Sequence, residues 1–138
     1  MKPRKIISFL AKKARTSIFL IIEYILPKKN NYWCFCSWER HYHTLDNPRA
    51  VFERVKNDAE IKKIILIKKD PRQNDLDGKN VVFVDPDSLL GIYHVARSKV
   101  ILLAYSLSGL CNYSEHITTR HLIIQLWHGI PLKKIGKL

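Results

Sequence analysis

Five short apolar runs set the strongest limit on how this chain can fold. "YWCFCSW" (residues 32–38), "IKKIILI" (61–67), "VVFV" (81–84), "VILLA" (100–104) and "HLIIQLW" (121–127) are too apolar to face water. Each has the length of a strand, and near-continuous Ile, Leu and Val runs suit parallel strands covered on both faces. Helix signals separate them. Asn47 and then Pro48 predict an N-cap and a proline at the first helical position, leading into "RAVFERVKN". Asp87 or Ser88 similarly opens "LLGIYHVARS", with Leu89, Ile92, Tyr93 and Ala96 at helical spacing. Residues 70–80 read as a polar loop, and 106–119 have no clear pattern. Strands alternating with helices predict an α/β fold built on a doubly wound, Rossmann-like parallel sheet.

Length and composition fit that reading. The 138 residues suffice for one domain with a real core, and the 46% hydrophobic content argues against disorder. There is no internal repeat, no Gly-x-Gly-x-x-Gly and no phosphate-loop motif, so the pattern suggests a fold class and not a nucleotide site. The net charge of +12 points to an anionic partner. Residues 1–29 hold eight lysines and arginines against one acid, Glu23, which is more than half of that excess. No nucleic-acid recognition motif accompanies the charge. Basic residues gathered on an apolar helix suit lipid better, so nucleic acid is not expected as a partner.

That helix is "KIISFLAKKARTSIFLIIEYILP", within residues 1–27. Ile7, Leu10, Ala11, Ala14, Ile18, Ile21, Ile22 and Ile25 recur at steps of three or four, and Pro27 stops the pattern. Ser8, Lys12, Arg15, Thr16 and Glu23 fall on the other side, which Phe19 and Leu26 spoil; Lys13 lies near the apolar margin. The uninterrupted apolar stretch is too short for a transmembrane span, which needs about 20 residues. No small-residue cleavage site marks a signal peptide. Two readings remain: a helix packed on its own domain, and an interfacial helix with its cations toward anionic headgroups. The second is the expectation, with Lys5, Lys12, Lys13, Arg15, Ile18, Phe19 and Ile22 as membrane-binding residues.

The closing stretch "HLIIQLWHGIPLKKIGKL" carries the chemistry. In open parallel sheets ligands bind beyond the carboxyl ends of the strands, and His128 falls at that edge. Gly129 lets a substrate approach the backbone, and Pro131 suits the first turn of a helix. The start of such a helix attracts phosphate, and Lys133 and Lys134 add full charges there. His128, with an ordinary pKa of about 6.5, is able to take a proton from an attacking hydroxyl near neutral pH.

"QLWHGIPLKKIG" resembles the Trp-His-Gly-Thr-Pro-Leu-Lys motif of the CDP-glycerol glycerophosphotransferase family. Upstream, "YWCFCSWERHYHTLDNPRAVFERV" is similar to that family's first strand, serine turn and Asp-Asn helix start, and "SLLGIYHVARSKVILLAYS" to its middle helix and strand. The resemblance covers residues 31–136. It implies the N-terminal half of a GT-B-type fold, with residues 31–138 as a Rossmann-like acceptor-side domain. The activity it implies moves glycerol phosphate from a CDP-glycerol donor to a lipid-linked polyol-phosphate acceptor of a teichoic-acid-type or capsular polymer. No cofactor is called for. The implied base is His128, the phosphate contacts are Gly129, Lys133 and Lys134, and Ser37, Asp46 and Asn47 line the cleft. Asp46 and Asn47 are read first as a helix cap. The implied location is peripheral, on the cytoplasmic face of the cell membrane. Three departures stand out: Cys36 replaces a family Gly, another Gly near Arg40 is missing, and Ile130 replaces the family's Thr. The expectation is a truncated chain that lacks the donor-binding half and is inactive alone. The alternative is a non-catalytic membrane module binding anionic lipid or polymer.

Other residues are read as structural. Cys34, Cys36 and Cys111 fit no disulfide framework and are expected as reduced, inert thiols. Cys34-x-Cys36 and His41-x-His43 lack a partner pair at zinc spacing, so no metal is expected. His94 and His116 are taken as surface or packing residues and Trp33 and Trp127 as core. The lysines flanking "IIL" are taken as solvated.

Overall fold

In the computed structural model the five apolar runs lie side by side in one sheet of order β3-β2-β1-β4-β5, with all four pairings parallel. The structure describes residues 3–36, 45–67, 76–108 and 110–127, with side chains from Lys5 onward. The chain runs α1 (Pro3–Ile25), β1 (Lys29–Cys36), α2 (Pro48–Val55), β2 (Lys62–Leu66), β3 (Val81–Val84), α3 (Leu89–Arg97), β4 (Ser98–Leu103) and β5 (Leu122–Gln125), with a 3-10 turn at Ser114–His116. This order is that of a Rossmann-like sheet. The connection through α3 carries the chain from one side of β1 to the other, which puts a topological switch between β1 and β4.

Alternation along the strands feeds two cores. Phe35, Ile65 and Leu102 point to one face and pack with Phe52 of α2, where Phe35 and Phe52 meet edge to face at 5.7 Å. Cys34, Ile64 and Ile101 point to the other face, beneath α3 and α1. Burial pushes the Cys34 thiol up to about 12 and raises Cys36 as well, so both are inert packing groups. The start of α3 is capped as its sequence predicts: Ser88 Oγ accepts from the Gly91 amide at 3.0 Å. Gly91 itself lies so close to the Asp85 carbonyl that an added Cβ would sit 2.0 Å from that oxygen.

The N-terminal helix packs on the domain along one side. Phe19, assigned to the membrane, is 0% exposed and stacks on Tyr113 with ring centres 4.5 Å apart. Ile18, Leu20 and Ile22 pack against the same core. Thus Phe19, which interrupts the polar side of the helix, is what fastens it to the domain. Much of the stripe read from the sequence faces outward instead: Ile7 is 67% exposed and Ile25 71%, with Leu10, Ile21 and Tyr24 exposed between them. The helix therefore has two apolar sides, one spent on the domain and one uncovered. No helix among the described residues is long and apolar enough to cross a membrane.

Glu23, expected on the polar side, is also fully buried. It pairs with Lys28, accepts from Thr118 Oγ1 at 2.9 Å, and lies 3.2 Å from His121 Nε2. Lys28 Nζ also donates to the Ala96 carbonyl at 2.6 Å, and Arg120 donates to the backbone oxygen of Glu23. A buried carboxylate persists only with such partners. This network sits where β4 and β5 begin, while Arg15 bonds the Asp87 carbonyl beyond the end of β3. Hence α1 runs opposite to the strands, and its first turns continue past their carboxyl ends.

One further expectation fails nearby. Lys63 is not solvated: it is fully buried in β2, its ammonium bonded to the Asp58 carbonyl, and burial lowers its pKa.

Candidate active site at the carboxyl rim of the sheet

The carboxyl ends of β4 and β5 and the start of α2 converge beside the switch between β1 and β4. Asp46 and Asn47 reach this rim, although they lie far from β5 in sequence. Asp46 adopts a left-handed backbone, φ 53°, which aims the chain into α2. Its Oδ2 accepts from Tyr105 Oη at 3.4 Å. Burial and the Asp46 carboxylate both raise the Tyr105 pKa, so the phenol stays a protonated donor.

Asn47 corrects the cap expectation. Its own backbone is helical, and its side chain makes no capping bond. Instead its Nδ2 donates to the Leu126 carbonyl oxygen at 2.9 Å. Pro48 does occupy the first helical position as the sequence predicts. Leu126 is held from its other side as well, its amide donating to the Leu103 carbonyl of β4 at 2.8 Å. These bonds fix the backbone where β5 ends.

Trp127 follows with φ 61°, a conformation that costs a large aromatic residue energy and so marks a constrained turn. Its side chain is 52% exposed, contrary to the core placement expected for it. His128 is the next residue. His128, Gly129, Lys133, Lys134 and Ser37 lie outside the described residues, as do His41 and His43. Of the residues assigned to the site, the structure thus brings Asp46 and Asn47 together with the backbone that leads into His128.

Sequence reasoning missed Tyr105 and misplaced Trp127. Tyr105 had a usable signal, since it stands just after the β4 run, where a parallel sheet presents its ligand edge. The uncovered side of Trp127 had none, because an aromatic ending an apolar run reads as core.

All seven residues assigned to the membrane lie on α1. Lys12 Nζ sits 4.0 Å from Glu115, and Lys13 lies over the Phe9 ring at 4.9 Å. Lys5, Lys12 and Lys13 are exposed, whereas Arg15, Ile18 and Ile22 are half-buried against the domain. The remaining histidines divide: His116 is exposed, and His94 is buried. Burial and the nearby Lys62 and Lys29 ammoniums lower the His94 pKa to about 4. Among the described residues no group of three or more His, Cys, Asp or Glu is placed to hold a metal ion.

Comparison with known families gives a match over residues 18–137, to the family described as CDP-Glycerol:Poly(glycerophosphate) glycerophosphotransferase. The match starts within α1 at the turn that packs on the domain, and leaves the overhanging first turns outside it. No curated protein and no solved structure matches the chain.

Proposed function

This chain belongs to the CDP-glycerol:poly(glycerophosphate) glycerophosphotransferase family, and on that premise we propose that its sheet rim is the acceptor side of a transfer site. The reaction moves glycerol phosphate from CDP-glycerol to a hydroxyl of a lipid-linked polyol-phosphate acceptor, of the kind that builds teichoic-acid-type or capsular polymers. The hydroxyl oxygen attacks the phosphorus next to glycerol, the bond to the cytidine-bearing phosphate breaks, and CMP leaves. His128 takes the proton of the attacking hydroxyl. Lys133, Lys134 and the Gly129 backbone steady the phosphate charge.

The observation that carries this reading is the pair of bonds holding Leu126, from Asn47 Nδ2 and to the Leu103 carbonyl. A base must be held within a fraction of an ångström to be useful. Here two separate elements fix the backbone two residues ahead of the histidine. The outward apolar side of α1 supports the second part of the proposal, peripheral attachment to the cytoplasmic face of the cell membrane, where a lipid-linked acceptor is found.

The test is a titration of histidine-labelled chain followed by NMR. Vesicles carrying a glycerol phosphate-terminated acceptor are expected to shift the His128 imidazole and the Asn47 side-chain amide. CDP-glycerol alone is expected to leave both in place. A His128 signal indifferent to acceptor overturns the acceptor-side reading. The same uncovered helix side favours a second reading, a non-catalytic membrane module. Vesicle binding with a silent His128 is the outcome that would select it.

A further inference from the structure

Toward the amino ends of the strands, on the face covered by α3, a group of basic and aromatic side chains gathers that has no part in the rim. Tyr32 of β1 pairs in register with Lys62 of β2, whose ammonium lies 5.2 Å from the Tyr32 ring centre. Lys29 Nζ lies 4.7 Å from the same centre and donates to Tyr32 Oη at 3.3 Å. The His94 ring packs 5.7 Å from the Tyr32 ring. Next to it Tyr93 carries the Arg97 guanidinium, 5.9 Å from its ring centre.

Two features set this group apart from an ordinary solvated surface. The ion pairs among the described residues involve none of Lys29, Lys62 or Arg97, so two ammoniums share one phenol ring with no carboxylate between them. Beside them, two buried polar atoms have no partner: Nδ1 of His94, a residue 4% exposed, and Nε of Arg97. Buried polar atoms in folded proteins are nearly always paired. Apart from the bond from Lys29 to Tyr32, no acceptor among the described residues faces these cations, and such a group matches one ligand type, an anion with several oxygens.

We propose that Lys29, Tyr32, Lys62, His94 and Arg97 form a binding site for the phosphate of a mono- or diester, separate from the rim. The end of β1 at Cys36 lies four steps along the strand from Tyr32, about 13 Å away. The local potential agrees. Burial lowers the His94 pKa, and Lys62 and Lys29 lower it further. Burial alone would raise Tyr32, yet its bond from Lys29 and the charges of Lys62, Lys29 and Arg97 outweigh that and lower it. Both groups feel positive charge that a bound anion would neutralise. The phosphate comes from a free or polymeric ester or from a lipid headgroup, and the same site chemistry serves either.

The experiment uses the full chain with labelled histidine and tyrosine, titrated with inorganic phosphate and separately with phosphatidylglycerol vesicles. Phosphate is expected to move the His94 and Tyr32 signals saturably and to raise the His94 pKa by about one unit. Lys62→Gln and Arg97→Gln are each expected to weaken binding at least about fivefold, as loss of a charge-assisted bond does. Both side chains are only half-buried, and circular dichroism checks that the variants remain folded. A stronger response to vesicles than to inorganic phosphate assigns the lipid source, and the reverse assigns a free ester. Unmoved His94 and Tyr32 signals with both probes, or unchanged affinity in both folded variants, overturns the site. The acceptor titration of His128 reads a different ring, so failure of one proposal is distinguishable from failure of the other.

Discussion

The side-chain amide of Asn47 donates to the carbonyl oxygen of Leu126 at 2.9 Å, tying the start of α2 to the end of β5 across 79 residues of sequence. The bond is exposed, so its net worth to stability is modest, about 0.5–1.5 kcal/mol. Its geometric effect is larger, because it fixes the strained turn at Trp127. Asn47→Ala is therefore expected to lower stability by no more than about 1.5 kcal/mol while visibly shifting the Trp127 amide and indole resonances. Asn47→Asp replaces the donor by an acceptor facing a carbonyl and is expected to shift them further. Spectra superimposable with the parent chain in both variants would count against any positioning role for Asn47.

Acidification gives a second prediction, through His121. Burial and the adjacent Lys28 ammonium lower its pKa to about 4, with the Glu23 carboxylate opposing them. Its unfolded value is about 6.5, so on lowering the pH the unfolded chain takes up the proton first. Stability is then full above about 6.5, falls as the pH drops from 6.5 toward 4, and levels off below. The loss attributable to His121 is on the order of 1–3 kcal/mol, and His94 shifts in the same direction. Urea midpoints at successive pH values read the slope, and His121→Gln should flatten it. An unchanged slope in that variant would show that the ring is not responsible.

The two helix faces of α1 explain how far the sequence could be read. Among the described residues all five strands and all three α-helices were legible, because apolar runs and turn residues are local signals; burial was less so, since Leu122 and Ile123 of β5 are exposed although that run reads as too apolar to face water. Ser88 and Pro48 fell at their expected positions for the same local reason. Which side of α1 meets the domain was not legible. The stripe Ile7, Leu10, Ile21 and Ile25 is the longer one, and nothing local says that Phe19 would find Tyr113 across a gap of 94 residues. Likewise Glu23 and Lys63 look solvated one at a time. Their burial follows from partners that only the fold supplies: Lys28, Thr118 and His121 for the first, and the Asp58 carbonyl for the second. The Asn47 bond is of the same kind, since a local rule assigns asparagine before proline to a cap.

Gly91 supplies a third prediction, in which two rules compete. In an ordinary helix Gly→Ala stabilises by about 1 kcal/mol. At Gly91 the new methyl would overlap the Asp85 carbonyl and crowd Pro86, both backbone groups unable to swing aside. Gly91→Ala is accordingly expected to destabilise, and to lower the thermal midpoint. A raised midpoint would mean that the first turn of α3 moves away from the β3 end at little cost.

The overhanging turns of α1 supply the last. The Phe19 anchor and the outward stripe lie on different sides of one helix, so their effects are separable. Phe19→Ala removes a fully buried ring and is expected to cost about 3–5 kcal/mol of stability. Ile7→Ser with Leu10→Ser alters residues that are mostly exposed in the free chain, so stability should change by no more than about 1 kcal/mol. Flotation with anionic vesicles should nevertheless fall sharply. Removing three exposed charges by Lys5→Gln, Lys12→Gln and Lys13→Gln is expected to weaken binding at least about tenfold, since each lysine near an anionic surface contributes about 1 kcal/mol. That loss should shrink as salt rises, whereas the loss from the Ile7 and Leu10 pair should not. Full flotation of both sets of variants would remove α1 as the membrane contact and leave its uncovered side to another partner.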